Sequence, residues 1–203
     1  MESGSDLHRG DVRPRLLTSL QRAVAEDGYR ALTAGAIAAG ADLPADSFDA
    51  HFESVADCYL AAFDLRAVQL EGILAAAWAS EEEWPLRVRG TLGAALEYFS
   101  ASPSAAALLL IEPLVADPEI LRRHQTELAR LVPFLAEGRS LAELGDDLPR
   151  WIEHALLGSL SSQIGRRAST GRADTLLELL PDLTQFVLTP YLGLTEAHRV
   201  AGG

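Results

Sequence analysis

The chain has no lysine: all 17 of its basic residues are arginine, set against 29 acids, for a net charge of −12. An acidic balance of this size disfavours non-specific attraction of the whole molecule to nucleic acid, so any such contact must come from a local cluster. Only one cysteine is present, Cys58. That excludes a disulfide within the chain and fits a reducing, cytoplasmic setting. Long apolar runs are missing too; the longest, Ala105 to Ile111, is broken by Glu112 and Pro113, so no membrane span is expected. The opening M-E-S-G-S-D has no apolar core, and no secretory signal is expected. There is no strand-like alternation, no internal repeat, no glycine-rich phosphate loop and no nucleophile elbow. Beyond residue 57, His124 with Glu127 and Glu153 with His154 are the only His–carboxylate neighbours, and neither pair has metal-ligand spacing. Cys58 follows Asp57, whose charge opposes thiolate formation. No catalytic residue, metal or cofactor is therefore expected.

What remains is helical periodicity over 203 residues, enough for a small domain and a larger one. Pro14 suits the first turn of a helix to about Glu26, with Leu16, Leu20, Ala23 and Val24 inward and Gly28 as its stop. Thr33 can cap a second, with Ala34, Ile37, Ala38 and Ala41 as its apolar positions. The chain breaks at Asp42-Leu43-Pro44, and a third short helix carries Phe48 and Phe52 on one face. Two short helices joined by a tight turn form the unit that sets its second helix in a DNA major groove.

The charge on that unit has the wrong sign for DNA. From Asp42 to Asp57 there is no basic residue but Asp42, Asp46, Asp49, Glu53 and Asp57; from Val12 to Asp57, four arginines face seven acids. Asp42 and Asp46 have a structural explanation, since an anion at a helix start is favoured by about 0.3–1 kcal/mol. Asp46 or Asp49 has a functional one as well, accepting from a cytosine amino group.

Further on, a long helix is predicted from Val55 to about Ser80, with Tyr59, Phe63, Ala67, Leu70 and Leu74 on one face. Another follows from Pro85 to Ala101, a short one between Pro103 and Pro113, and one from Asp117-Pro118-Glu119 to near Gly138. A loop over 145–149 precedes two last helices, Pro149 to Thr170 and Asp174 to Leu192. Ala155, Gly158, Ser159 and Ser162 give the first of these a small-residue face, and Leu176, Leu180, Leu183, Val187 and Tyr191 keep helical spacing on the second. The pattern alone leaves open whether these helices form a dimer interface or fill the monomer core.

Gly28-Tyr29, Leu32-Thr33, Ile37-Ala38, Phe48 and His51-Phe52 resemble the N-terminal domain of the TetR (tetracycline-repressor) family. Asp57 to Ala62 resembles the start of that family's fourth helix, and Trp84-Pro85 with Arg87-Val88-Arg89 the opening of its fifth. Ala155-Leu156-Leu157-Gly158 and Pro190-Tyr191-Leu192-Gly193 resemble its last two helices in an actinobacterial-type branch. The resemblance implies an all-α chain of about nine helices: an arm over residues 1–11, a helix-turn-helix domain over 12–57, and a ligand-binding and dimerisation domain over 58–203. It implies a homodimeric, ligand-responsive transcriptional regulator, a repressor, with operator DNA and a small-molecule effector as partners.

The family's usual turn glycine falls at Asp42, its serine at Pro44, a frequently basic position at Ala45, its phosphate-binding tyrosine at Asp49 and its lysine at Val55. Thr33, Ser47 and His51 keep contact chemistry, and Arg9, Arg13, Arg15 and Arg30 are left to supply the electrostatic grip. The expected DNA-contacting set is Arg13, Arg15, Arg30, Thr33, Ala45, Asp46, Ser47, Asp49 and His51. The expected pocket wall is Phe63, Leu70, Leu96, Phe99, Leu110, His124, Leu128, Trp151 and His154, an apolar set with few polar groups. The resemblance also turns the last two helices into a dimer interface, through Ala155, Gly158, Ser162, Leu176, Leu180, Leu183 and Val187. The rival expectation is a dimer of the same fold that has lost DNA binding and acts as a small-molecule-binding or partner-binding protein, or as an enzyme.

Overall fold

In the computed structural model, which describes residues 6–142 and 147–202 and the side chains from Val12 on, every described regular element is helical. Helix α1 runs Asp6–Asp27 with Pro14 inside it. It starts earlier than Pro14 because a proline removes one helical hydrogen bond without forbidding helical dihedrals on either side. The arm expected over 1–11 is thus helical from Asp6; residues 1–5 and the Arg9 side chain lie outside the described residues.

A 3-10 turn at Tyr29–Ala31 leads to α2, Ala34–Gly40, whose Thr33 cap accepts from Ala36 N–H at 3.2 Å. Helices α1 and α2 touch closely. Ser19 Oγ donates to Ile37 O at 2.8 Å, and a Cβ on Gly40 would lie 2.5 Å from that Oγ, so the crossing requires glycine.

The turn after α2 places Asp42 at φ 55, the one non-glycine residue with positive φ among those described. The position that carries the family's turn glycine is therefore in the left-handed region here. Asp42→Gly is expected to relieve about 0.5–1 kcal/mol of strain, raising Tm by about 1–4 °C. A lower Tm in a thermal melt would refute this.

Helix α3 is a single turn, Asp46–Asp49, with Ala45 as its cap. It stays short because Asp49 sits at its C-terminal end with no basic residue in the last turn, the wrong charge for the helix dipole. Phe48 and Phe52 are both buried with ring centroids 5.6 Å apart, which fixes the turn on the core of this unit.

Helix α4 (Val55–Ala79) is capped by Ser54 and tied to α1 by Arg66 Nε donating to Gln21 at 2.7 Å. Helix α5 is Trp84–Ala101. The short α6, Pro103–Ala106, passes into a π-helical turn, Ala107–Ile111, and a 3-10 turn, Glu112–Leu114. The single helix expected after Asp117 is divided: α7 is Pro118–Arg130, α8 is Val132–Ala136, and a 3-10 turn follows at Glu137–Leu141, because Pro133 cannot continue the bond pattern of α7. Part of the loop expected over 145–149 lies outside the described residues.

Helix α9 is Ile152–Ser169. A 3-10 segment, Ala173–Leu179, then enters α10, Leu180–Gly202, which bends at Gly193 (φ 73). Among the described residues no single helix is long and apolar enough to cross a membrane.

One buried polar cluster holds the far end together. Arg139 Nε and its second terminal nitrogen donate to the two oxygens of Glu153 at 2.7 and 3.0 Å, and the same guanidinium bonds Leu148 O and Pro149 O. Tyr191 OH donates to Glu153 Oε1 at 3.3 Å, and its ring meets Trp84 edge-on at 5.0 Å.

Candidate functional site

Two regions carry the candidate residues: the surface of the helix-turn-helix, and a cavity of about 550 Å³ bounded by α4, α5, the π-turn, α7, α8 and α9.

On the first, Ala45, Asp46 and Asp49 are exposed along α3, Ser47 and His51 are partly exposed, and no arginine or lysine sits among them. Thr33 is exposed with its oxygen used as the α2 cap. The arginines do not project as a free grip. Arg15 donates to Ala41 O and Asp42 O, and Arg22 to Gly40 O, so both cap the C-terminal end of α2. Arg13 stacks over the Phe52 ring at 4.5 Å and donates to His51 O at 3.3 Å. Arg30 reaches away from α3, to Val115 O at 3.4 Å. The capping role was out of reach of sequence reasoning, since each bond spans 18 or more residues.

The cavity wall contains Phe63, Leu70, Phe99, Leu110, His124 and Leu128 from the expected set. Three expected residues are elsewhere. Leu96 is fully buried but packs behind the wall, because α5 turns Val88, Thr91, Leu92, Ala95 and Phe99 toward the cavity, one helical stripe that skips it. Trp151 is the cap of α9 and 63% exposed. His154 is exposed in the first turn of α9, at the edge of the buried face that carries Glu153, Leu156, Leu157 and Leu160.

Polar groups on the wall are few. His124 is buried and bonds to the Leu109 backbone; burial lowers its pKa despite that bond, so the ring is neutral at pH 7. Glu127 accepts from Arg130 at 3.2 Å and pairs with Arg123, which also donates to Asp64 at 2.7 Å. Thr91 Oγ1 is buried with no hydrogen bond among the described residues.

Besides α4, which lines the cavity and packs on α1, the cavity and the helix-turn-helix share the segment 107–117. Leu109 and Leu110 of the π-turn line the cavity. The neighbouring Leu108 O accepts from Tyr59 OH at 2.6 Å, and the Tyr59 ring meets Tyr29 edge-on at 5.3 Å. Glu112 accepts from the Tyr29 N–H at 2.7 Å, and Asp117 accepts from Tyr29 OH.

The residues expected at a dimer interface divide in two. Ala155, Gly158 and Ser162 face outward, and a Cβ on Gly158 meets open space. Leu176, Leu183 and Val187 are buried in this one chain and Leu180 is partly so, which corrects their assignment: that stripe packs inward, and the large apolar residues exposed on α10 are Phe186, 45% exposed, and Leu194 beyond the bend. A stripe at helical spacing identifies a buried face without saying which chain buries it.

Cys58 is fully buried, and burial pushes its thiol up to about 12. Among the described residues no group of three or more His, Cys, Asp or Glu is placed to hold a metal.

No known family model and no curated protein sequence matches the chain. Solved structures do. The fatty acid degradation regulator FadR from Bacillus halodurans is similar at a TM-score of 0.76 and 14% identity, over 93% of this chain and 97% of that one. A TetR-like transcriptional regulator from Rhodococcus sp. RHA1 gives 0.69 and 19% over 85% and 93%. FadR from Bacillus subtilis, in complex with stearoyl-CoA, gives 0.62 and 14% over 82% and 96%. The chain has the all-helical fold of these regulators.

Proposed function

We propose that the protein is a ligand-responsive transcriptional regulator, a repressor that binds a two-fold operator as a homodimer, with residues 12–57 as the reading head and 58–203 as the effector and dimerisation unit. The observation that carries this reading is the shared segment. The π-turn that forms part of the cavity wall continues, within a few residues, into the groups that hold Tyr29 and Arg30 of the helix-turn-helix. π-turns are frequent at functional sites. A ligand that fills the cavity displaces Leu109 and Leu110, and Glu112 and Asp117 carry that displacement to the reading head, changing its fit to paired half-sites.

Glu112→Ala is expected to leave ligand affinity unchanged and to abolish ligand-induced release of DNA. Loss of both, or of neither, would count against the segment as the coupler. The DNA step is tested by fluorescence anisotropy with the sequence flanking the protein's own gene at two salt concentrations. Few phosphate contacts are available, so affinity is modest and the salt slope shallow, at about 0.9 per contact. Removing acid from α3 strengthens binding on all sequences: Asp46→Ser with Asp49→Lys is expected to gain about tenfold or more at low salt.

A second reading draws on the charge of the same surface. The exposed residues of α3 are acidic, and Arg13, Arg15 and Arg30 are engaged within the fold. This favours a dimer of the same fold that senses a small molecule without binding DNA. Absence of DNA binding at low salt, including in a random-site selection, with ligand binding intact, selects it.

A further inference from the structure

We propose that the cavity takes an uncharged, largely apolar molecule, and that it rejects anions, acyl thioesters of nucleotide carriers among them. The inference rests on the cavity being the effector site and adds the chemical class of its ligand.

The argument starts from charge. Of the residues that line the cavity, only Glu71, Glu127 and Arg130 are charged, a balance of −1. The one cation among them, Arg130, is paired with Glu127. The next cation outward, Arg123, is paired with both Glu127 and Asp64. An anion entering this space meets a carboxylate surplus and guanidiniums that already have partners. Burying a charge without a counter-charge or several donors is strongly unfavourable. His124 does not change this, because its buried ring resists protonation. A thioester of a nucleotide carrier brings several phosphates, which call for clustered arginines or lysines; the wall offers no such cluster among the described residues. The stearoyl-CoA held by the Bacillus subtilis regulator is thus a ligand of different chemistry from the one this wall fits.

A cation is disfavoured by the opposite route. Glu127 is the carboxylate nearest the apolar interior, and both of its oxygens are engaged by arginine. Glu71 is exposed, so its charge is screened by water.

Neutral polar side chains on the wall are few: Thr91, Ser161 and His124, and the Thr91 oxygen is itself closed off from the cavity. Apart from these and the three charged residues the wall, from Phe63 on α4 to Val187 on α10, is apolar, and about 550 Å³ accommodates a ligand of ordinary small-molecule size.

The test is a head-group series on the full-length protein at constant chain length: 1-dodecanol, dodecanoate, dodecyltrimethylammonium and dodecanoyl-CoA, each below its micelle concentration, competing with Nile red. Dodecanol is expected to bind at least about tenfold more tightly than any charged member. Ala95→Trp, which fills the space from α5, is expected to abolish binding of both dodecanol and Nile red. A charged probe that equals or exceeds dodecanol overturns the proposal, as does dodecanol affinity untouched by Ala95→Trp. If neither Nile red nor any member of the series binds, the effector-site reading itself fails and takes this inference with it, an outcome distinct from binding with the wrong head-group preference.

Discussion

Glu153→Ala is expected to cost about 2–4 kcal/mol, because it leaves the partly buried Arg139 guanidinium without its counter-charge. The carboxylate is 2% exposed and receives two bonds from Arg139 and one from Tyr191. Those three residues come from α9, from the 3-10 turn after α8, and from α10, so one side chain joins three elements that are distant in sequence. At about 2–4 °C per kcal/mol for a chain of this size, Tm should fall by roughly 10 °C. Glu153→Gln keeps the shape and loses the charge, and should cost less.

The same cluster gives a pH dependence. Burial works to raise the Glu153 pKa, but the Arg139 bonds and charge outweigh it and hold the carboxyl below its ordinary value. In the unfolded chain the group takes up its proton near pH 4.3. The stabilisation is therefore complete above that pH and is lost as pH falls through the lower folded value. The stability gap between the parent and Glu153→Gln should be constant from pH 8 to about 5 and shrink below it. Urea midpoints that coincide at neutral pH, or a gap that widens in acid, would show that the pair contributes nothing of this kind.

The second large effect concerns self-association. Gly158→Arg and Phe186→Asp should each convert a dimer to a monomer without loss of helical signal, since both positions face outward. Leu183→Glu should instead unfold the chain, because Leu183 is 6% exposed in the monomer and no partner is needed to bury it. Light scattering with circular dichroism separates the outcomes. Dimers of unchanged mass in both outward variants would place the interface elsewhere, and a folded Leu183→Glu monomer would contradict the inward packing of that stripe.

These contrasts show how the information is distributed. Signals that act within one turn were legible from the sequence. Thr33 caps α2, Phe48 and Phe52 share a buried face, α4 starts at Val55, and the position of the family's turn glycine has positive φ even with aspartate in it. Local sterics and hydrogen bonding fix such features within three or four residues. The all-helical class was legible for the same reason, since 3.6-residue periodicity persists along the chain. Six of the nine expected pocket residues line the cavity because apolar helix faces must converge somewhere.

Direction in space was beyond the sequence. Periodicity could not tell that Leu96 packs behind the wall while its neighbour Ala95 lines it, or that α9 turns His154 outward. It gave Leu176, Leu183 and Val187 as a stripe without saying that this chain buries them itself. Arg15 read as part of an electrostatic grip until the packing of α1 on α2 brought the C-terminal end of α2 within its reach. Glu153 read as a surface neighbour of His154 until Arg139 was placed across from it. The chain by itself determined which residues become helical and where helices start. Which face each helix buries, and which charges meet, depended on contacts between residues far apart in sequence, and only the tertiary structure could decide those.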